Sequence, residues 1–306
     1  MIAVVFAIAM MQQLGLEGQF DSAPRIIVLG IGQDAGYPQA DCQKECCQKV
    51  WDNPGLKKHV SCIAVFDPQD STSWLFDATP DITSQLKVLE QHCGKQVPDG
   101  IFLTHAHIGH YTGLMFLGFE AMATTDVPVY VMPRMHTFLS ENGPWSQLVT
   151  MRNIELQKMT ANSEVRISRA VTVTPILVPH RDEFSETVGY LIKGPNRTAL
   201  FIPDINKWEI WDRDIVDFIQ GVDIALIDGS FFDGDELPGR DMSEIPHPFV
   251  VESMKLFDRL SSKDKAKVHF IHFNHTNPML HPDSEESRRV LRMGYNIAIE
   301  GQIIGL

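Results

Sequence analysis

Five short apolar runs, each leading into a histidine or an aspartate, constrain this chain more than any other feature. They are "DGIFLTHAH" (99–107), "VTVTPILVPH" (171–180), "TALFIPD" (198–204), "VDIALIDGSF" (222–231) and "KVHFIHFNH" (267–275). Short runs of β-branched and aromatic residues between turn signals read as buried strands. Further runs of this kind are "RIIVLGIG" (25–32), "SCIAVFD" (61–67), "SWLFDA" (73–78), "TVGYLIKG" (187–194) and the closing "YNIAIEGQIIGL" (295–306). Helical spacing appears over Ile82–His92, Tyr111–Met122 and roughly 248–260. Many short strands mixed with a few helices predict an α/β layered fold. No linker or repeat divides the chain, so 25–306 reads as one domain. His105, His180, Asp204, Asp228 and His272 fall at or just past the C-terminal ends of these strands, where layered α/β folds place ligand sites.

Composition narrows the partners. The 306 residues are 44% hydrophobic, enough for a large core, and 26 Lys plus Arg face 39 Asp plus Glu, a net charge of -13. Such a balance repels phosphate backbones and anionic membranes. Nucleic acid is excluded as a first reading, and a small-molecule or peptide-derived substrate is expected. The N-terminal run Ile2–Met11 is too short to span a bilayer. It resembles the core of an export signal without the preceding basic residues, so residues 1–24 read either as a signal segment, with a periplasmic or secreted protein, or as the first buried element of a cytoplasmic one.

Two clusters carry metal-ligating chemistry. In "THAHIGHY" (104–111), His105 and His107 leave an extended segment on one face, and His110 returns where the chain turns helical. Zinc takes neutral imidazole and carboxylate, and a catalytic site keeps one position open for water. Five cysteines, with Cys42, Cys46 and Cys47 close together, do not form a secreted disulfide pattern and read as metal ligands. Cys62 and Cys93 stand apart and read as small buried residues.

The series His-x-His-x-x-His, His180, Asp204, His272 resembles the metallo-β-lactamase fold superfamily. The stretches "VLGIGQDAGYPQADCQKECC", "FDATPDITSQL", "IDGSFFDGDEL", "RDMSEIPHPFV" and "FIHFNHTNP" resemble its branch containing the pyrroloquinoline quinone (PQQ) biosynthesis protein B. Phosphonate-pathway cyclic phosphodiesterases and tRNase Z are more distantly similar. The resemblance implies a four-layer αβ/βα sandwich with the metal site at the open edge between two sheets. It implies that His105, His107 and His180 hold a first metal, that His110 and His272 serve a second, and that Asp204 bridges them. Cys42, Cys46, Cys47 and His275 would bind a structural zinc, with either Cys46 or Cys47 spare. His247 would be a general acid or a packing residue, and Asp228 either a hydrogen-bond partner of a metal-bound histidine or a turn residue.

One position departs from the family pattern. Where a complete motif carries an aspartate ligand, this chain has Gly109. Three outcomes are open: one metal, two metals with Asp182 or Glu183 substituting, or a catalytically reduced site. The activity implied is metal-dependent hydrolysis of an ester, lactone, amide or phosphodiester by a metal-activated water, with zinc, or iron, at the catalytic position. The alternatives are an iron-dependent oxidative enzyme acting on a PQQ-type precursor and a non-catalytic metal-binding carrier.

Overall fold

The computed structural model describes residues 22–306. The expected signal segment therefore falls outside the described residues, apart from Ser22–Pro24. Among the described residues fourteen strands form two seven-stranded sheets. In chain order they are β1 (Arg25–Gly30), β2 (Cys62–Asp67), β3 (Thr72–Phe76), β4 (Gly100–Phe102), β5 (Val127–Val131), β6 (Ile154–Lys158), β7 (Val165–Arg166), β8 (Thr172–Leu177), β9 (Val188–Lys193), β10 (Thr198–Ile202), β11 (Ile224–Asp228), β12 (Val268–Ile271), β13 (Asn296–Ile297) and β14 (Ile303–Gly305).

The first sheet runs β14-β1-β2-β3-β4-β5-β6 and the second β13-β12-β11-β10-β9-β8-β7. In these orders the first sheet has three antiparallel pairings followed by three parallel ones, and the second has three parallel pairings followed by three antiparallel ones. The closing segment, expected as one strand, is split: β13 completes the second sheet and β14 crosses back to pair with β1, Ile26 opposite Ile304. A turn at residues 299–302 permits this.

Alternation along the strands shows why the runs look uniformly apolar. Ile26, Val28, Ile63, Val65, Trp74, Phe76 and Phe102 pack into the core between the sheets. Their neighbours Ile27, Leu29, Ala64, Phe66, Leu75 and Ile101 pack on the other face, against helices. Strands buried on both faces need apolar side chains at both parities. One of those outer helices, Ile82–Cys93, buries Ile82, Leu86 and Leu89 at helical spacing and ends on Gly94 in the left-handed conformation, φ +71°. The result is the α/β sandwich of two mixed sheets flanked by helices.

The predicted helix over 111–122 is shorter and tighter than expected. An α-turn at Ile108–Tyr111 gives way to a 3-10 stretch, Thr112–Leu117, and no helix continues beyond Gly118. Gly113 is the physical reason: its amide donates to Ala78 O at 2.8 Å, and an added Cβ there would lie 2.2 Å from Thr79 O. The segment is pressed against the loop after β3, so its path follows that contact rather than helical spacing. The other helical expectation, 248–260, is met by an α-helix at Val250–Leu256 and a 3-10 turn at Phe257–Arg259.

Candidate metal centre

Strand direction brings the functional loops together. β1 and β3 are each antiparallel to β2, and β4 is parallel to β3, so β1 and β4 end at the same edge of the first sheet. In the second sheet β8, β10, β11 and β12 likewise share a direction. The loops beyond these ends carry His105 and His107 after β4, His180 after β8, Asp204 after β10 and His272 after β12.

Two sets of ligand atoms result. His105, His107, His180 and Asp204 each offer one atom within 4.8 Å of the others, and Asp34, His110, Asp204 and His272 form a second such set. Asp204 is common to both. Its Oδ2 lies 3.3 Å from His180 Nε2, 3.4 Å from His105 Nε2, 3.8 Å from His110 Nε2 and 4.0 Å from His272 Nε2.

Outer partners turn each imidazole. Nδ1 of His105 meets the Thr104 hydroxyl at 3.0 Å, Nδ1 of His110 donates to Asp77 at 2.7 Å, Nδ1 of His180 donates to Asn206 Oδ1 at 3.0 Å, and Nδ1 of His272 meets the Ser230 hydroxyl at 2.9 Å. These four rings present Nε2 inward. His107 is reversed, with Nδ1 3.2 Å from His180 Nε2 and Nε2 3.1 Å from Glu183. Such bonds fix ring orientation and leave one nitrogen for a ligand. Asp77 and His272 adopt φ of +70° and +69°, backbone strain of the kind that clusters at functional sites.

The centre is electrostatically tense. Burial pushes His105 well below the usual imidazole range, and the charge of His110 adds to this. For His110 burial acts the same way, but the carboxylates of Asp77 and Asp34 overcome it and raise the ring. Burial would raise Asp34 and Asp204, yet His110 and His272 around the one and His180 and His247 around the other hold both well below the carboxylate range. His105 Nε2, Asp34 Oδ1 and Asp204 Oδ1 are buried and make no hydrogen bond of acceptable geometry among the described residues. Buried polar atoms left this way are costly. A divalent cation in each set would satisfy His105 Nε2 and Asp34 Oδ1, and imidazole with carboxylate is a donor set that suits zinc or iron. The residues present therefore fit a metal centre.

A cavity of about 590 Å³ opens over the two sets. Arg181, Arg240, Phe231, Ile245 and His247 are among the residues that line it. His247 donates from Nδ1 to Asp228 at 2.8 Å and lies 3.3 Å from Asp204 Oδ1. Burial would lower this imidazole, but Asp228 and Asp204 push it up to about 9. Asp228 is fully buried and also accepts from the amides of Ile205 and Ser230.

A separate cluster stands beside the cavity. Cys42, Cys46, Cys47 and His275 offer ligand atoms within 4.8 Å of one another. His275 Nδ1 is 3.3 Å from Cys47 Sγ and 3.8 Å from Cys46 Sγ. Burial raises the Cys46 thiol and pushes Cys47 up to about 12, so these sulfurs stay protonated without a cation. Both adjacent cysteines face His275, so neither is set aside by the geometry.

Comparison with known proteins agrees with this fold. Residues 72–273 match the Beta-lactamase superfamily domain, and the chain belongs to that superfamily. Within it, the chain is similar to coenzyme PQQ synthesis protein B of Methylococcus capsulatus, 25% identical over 90% of this chain and 98% of that protein. Among solved structures it is similar to Zn(2+)-bound PqqB from Methylobacterium extorquens, with a TM-score of 0.74, 22% identity, and coverage of 92% of this chain and 100% of the other. It is also similar to a diphosphatase from the PhnP family, with a TM-score of 0.63, 22% identity, and coverage of 92% of this chain and 98% of the other.

The residues expected as metal ligands or their partners lie in one of these clusters or against it, with two corrections; Cys62 is buried as expected, while Cys93 is only half-buried. Asp182 and Glu183 do not stand in for the carboxylate missing at Gly109. Asp182 accepts from the Thr187 hydroxyl at 2.8 Å, and Glu183 lies on the outer side of His107. Asp34, in the loop after β1, supplies a carboxylate to the second set instead. Asp228 braces His247 rather than one of the histidines of the two sets. The signal for Asp34 was available: it follows the C-terminal end of an apolar strand, as the other candidates do. Among the described residues no helix is long and apolar enough to cross a membrane.

Proposed function

We propose that the protein is a metal-dependent hydrolase acting on an anionic ester, with a phosphodiester as the favoured substrate. The observation that carries this reading is the pair of four-donor sets sharing Asp204 beneath an open cavity. Membership of the superfamily, whose members are commonly hydrolases, supports it. A divalent ion in such a centre lowers the pKa of water towards about 7 and polarises a substrate oxygen.

The chain's own residues supply the rest. Asp204 faces both sets and orients what lies between them. His247 has Nδ1 committed to Asp228, so its other nitrogen is left to hold a proton for a leaving group in the cavity it lines. Arg181 and Arg240 place positive charge on the cavity wall, which suits an anionic substrate despite the acidic surface elsewhere. Phe231 and Ile245 give that wall an apolar side that excludes water. Cys42, Cys46, Cys47 and His275 form a closed set suited to a structural zinc that fastens the loop after β1.

The test is turnover of a panel of phosphodiester, lactone, thioester and amide substrates by the wild type, His107→Ala and Asp204→Ala. Hydrolysis of the phosphodiester that is lost in both variants is expected; no turnover that depends on these residues would refute the reading. Similarity to PQQ synthesis protein B over nearly the full length favours a second reading, in which a PQQ-type, peptide-derived precursor occupies the cavity and is oxidised. Oxygen consumption that requires iron loading and such a precursor would select it.

A further inference from the structure

The second set of donors draws its own carboxylate from a loop that no histidine motif contains. We propose that Asp34 is a ligand of the second metal position and that Gly109 is glycine because any side chain there would displace it. This rests on the metal-binding half of the reading above and is independent of hydrolysis.

Three observations meet at this point. Asp34 Oδ1 lies 3.2 Å from His110 Nε2 and 3.8 Å from His272 Nε2, and it is buried without a hydrogen bond of acceptable geometry. A carboxylate aimed at two imidazole nitrogens, beside the shared Asp204, completes a set of four donors from four segments of the chain.

The backbone holds it there. Gln33 N donates to Phe273 O at 2.8 Å and Phe273 N donates to Ile31 O at 2.7 Å, so the loop carrying Asp34 is laced to the residue that follows His272. Gly36 N donates to Gln33 O at 2.7 Å, with φ +73° at Gly36, and closes the loop behind Asp34. Asp34 thus arrives as part of a fixed turn rather than as the end of a mobile side chain.

Gly109 is the third observation. A Cβ built on Gly109 would lie 2.4 Å from Asp34 Oδ1, 2.5 Å from Asp34 Cα and 3.0 Å from Asp34 Cβ. Rotating the Asp34 side chain cannot relieve a contact with its own Cα. A side chain at 109 and Asp34 in its present place therefore exclude each other beside His110 and His272. Gly109 does not mark a reduced second site; it is the space that the carboxylate from β1's loop fills.

The experiment is elemental analysis of three full-length proteins saturated with Zn2+ and dialysed: wild type, Asp34→Asn and Gly109→Ala. Parallel Co2+ loading gives absorption spectra as a second readout. The expected result is three ions per chain for the wild type, counting the cysteine cluster. Asp34→Asn and Gly109→Ala should each hold two. Far-ultraviolet circular dichroism and retention of the cysteine-bound ion show that each variant is folded, and a variant that fails this check is replaced by Asp34→Ser. Three ions retained by Asp34→Asn, or by Gly109→Ala, would overturn the proposal. A wild type that holds only the cysteine-bound ion would instead overturn the metal-centre reading itself.

Discussion

The two halves of the candidate metal centre share Asp204 but are built differently. The first takes His105 and His107 from one loop and His180 from another. The second takes Asp34, His110 and His272 from three loops on two sheets. The first half takes two of its donors from one contiguous motif and meets the second sheet through His180 and Asp204. The second depends on how the loop after β1 is laced to the segment after β12, and it is therefore coupled to the packing of the two sheets.

That contrast can be broken most forcibly at the shared residue. Asp204→Ala should empty both positions and lower hydrolysis about 10³-fold or more, while the ion of the cysteine cluster stays. Metal content measured beside turnover checks this. If one site ion survived, the sharing of Asp204 would be wrong.

The next largest effect separates the centre from the cysteine cluster. Cys47→Ser removes a donor that lies 3.3 Å from His275. It should release the structural ion and cost about 3 kcal/mol, a fall in Tm on the order of 10 °C. Calorimetry with and without a chelator reads the change. Both site ions should remain, since the cluster shares no donor with either set.

A smaller effect tests whether the halves respond independently. Asn206 orients His180 of the first set, and Ser230 orients His272 of the second. Asn206→Ala and Ser230→Ala should each weaken one position about 10- to 100-fold and leave the other near its wild-type affinity, by titration with Zn2+. Equal weakening of both positions by either variant would show that the halves bind as a unit.

The smallest effect concerns Glu236, next to the cavity-lining Leu237. Glu236 accepts from the Phe232 amide and the Thr276 hydroxyl, and burial raises its carboxyl to about 7. The folded state then holds a proton that the unfolded chain releases above about pH 4.5. Stability from this group is therefore complete below about 4.5 and declines as pH rises through 7. Glu236→Gln should flatten the fall in Tm between pH 5 and pH 8, a difference of a few degrees at most, by thermal melts across the range. A wild-type curve that rises over that interval relative to Glu236→Gln would contradict the assignment.

The strands were legible in the sequence because both their faces are buried, as Ile26 and Ile27 show on either side of β1. The short edge strand β7 was not, since two residues leave no periodicity to read. The same divide runs through the centre. His105, His107 and His110 stand within six residues and declare themselves, whereas Asp34 is one acidic residue past a strand end, a weak signal until β1 and β12 are brought together. Gly109 shows the limit of reading a motif by its gaps. A missing carboxylate suggested a damaged position, but the vacancy is the footprint of a neighbour that one-dimensional spacing cannot place.

The central claim is that two metal positions flank Asp204 and that Asp34 belongs to the second. Anomalous diffraction from crystals of the Zn2+-saturated wild type tests it most directly. Two peaks are expected at the centre, one bounded by His105, His107 and His180, the other in contact with Asp34, His110 and His272. A single peak among His105, His107 and His180, with Asp34 turned away from His110, would contradict it.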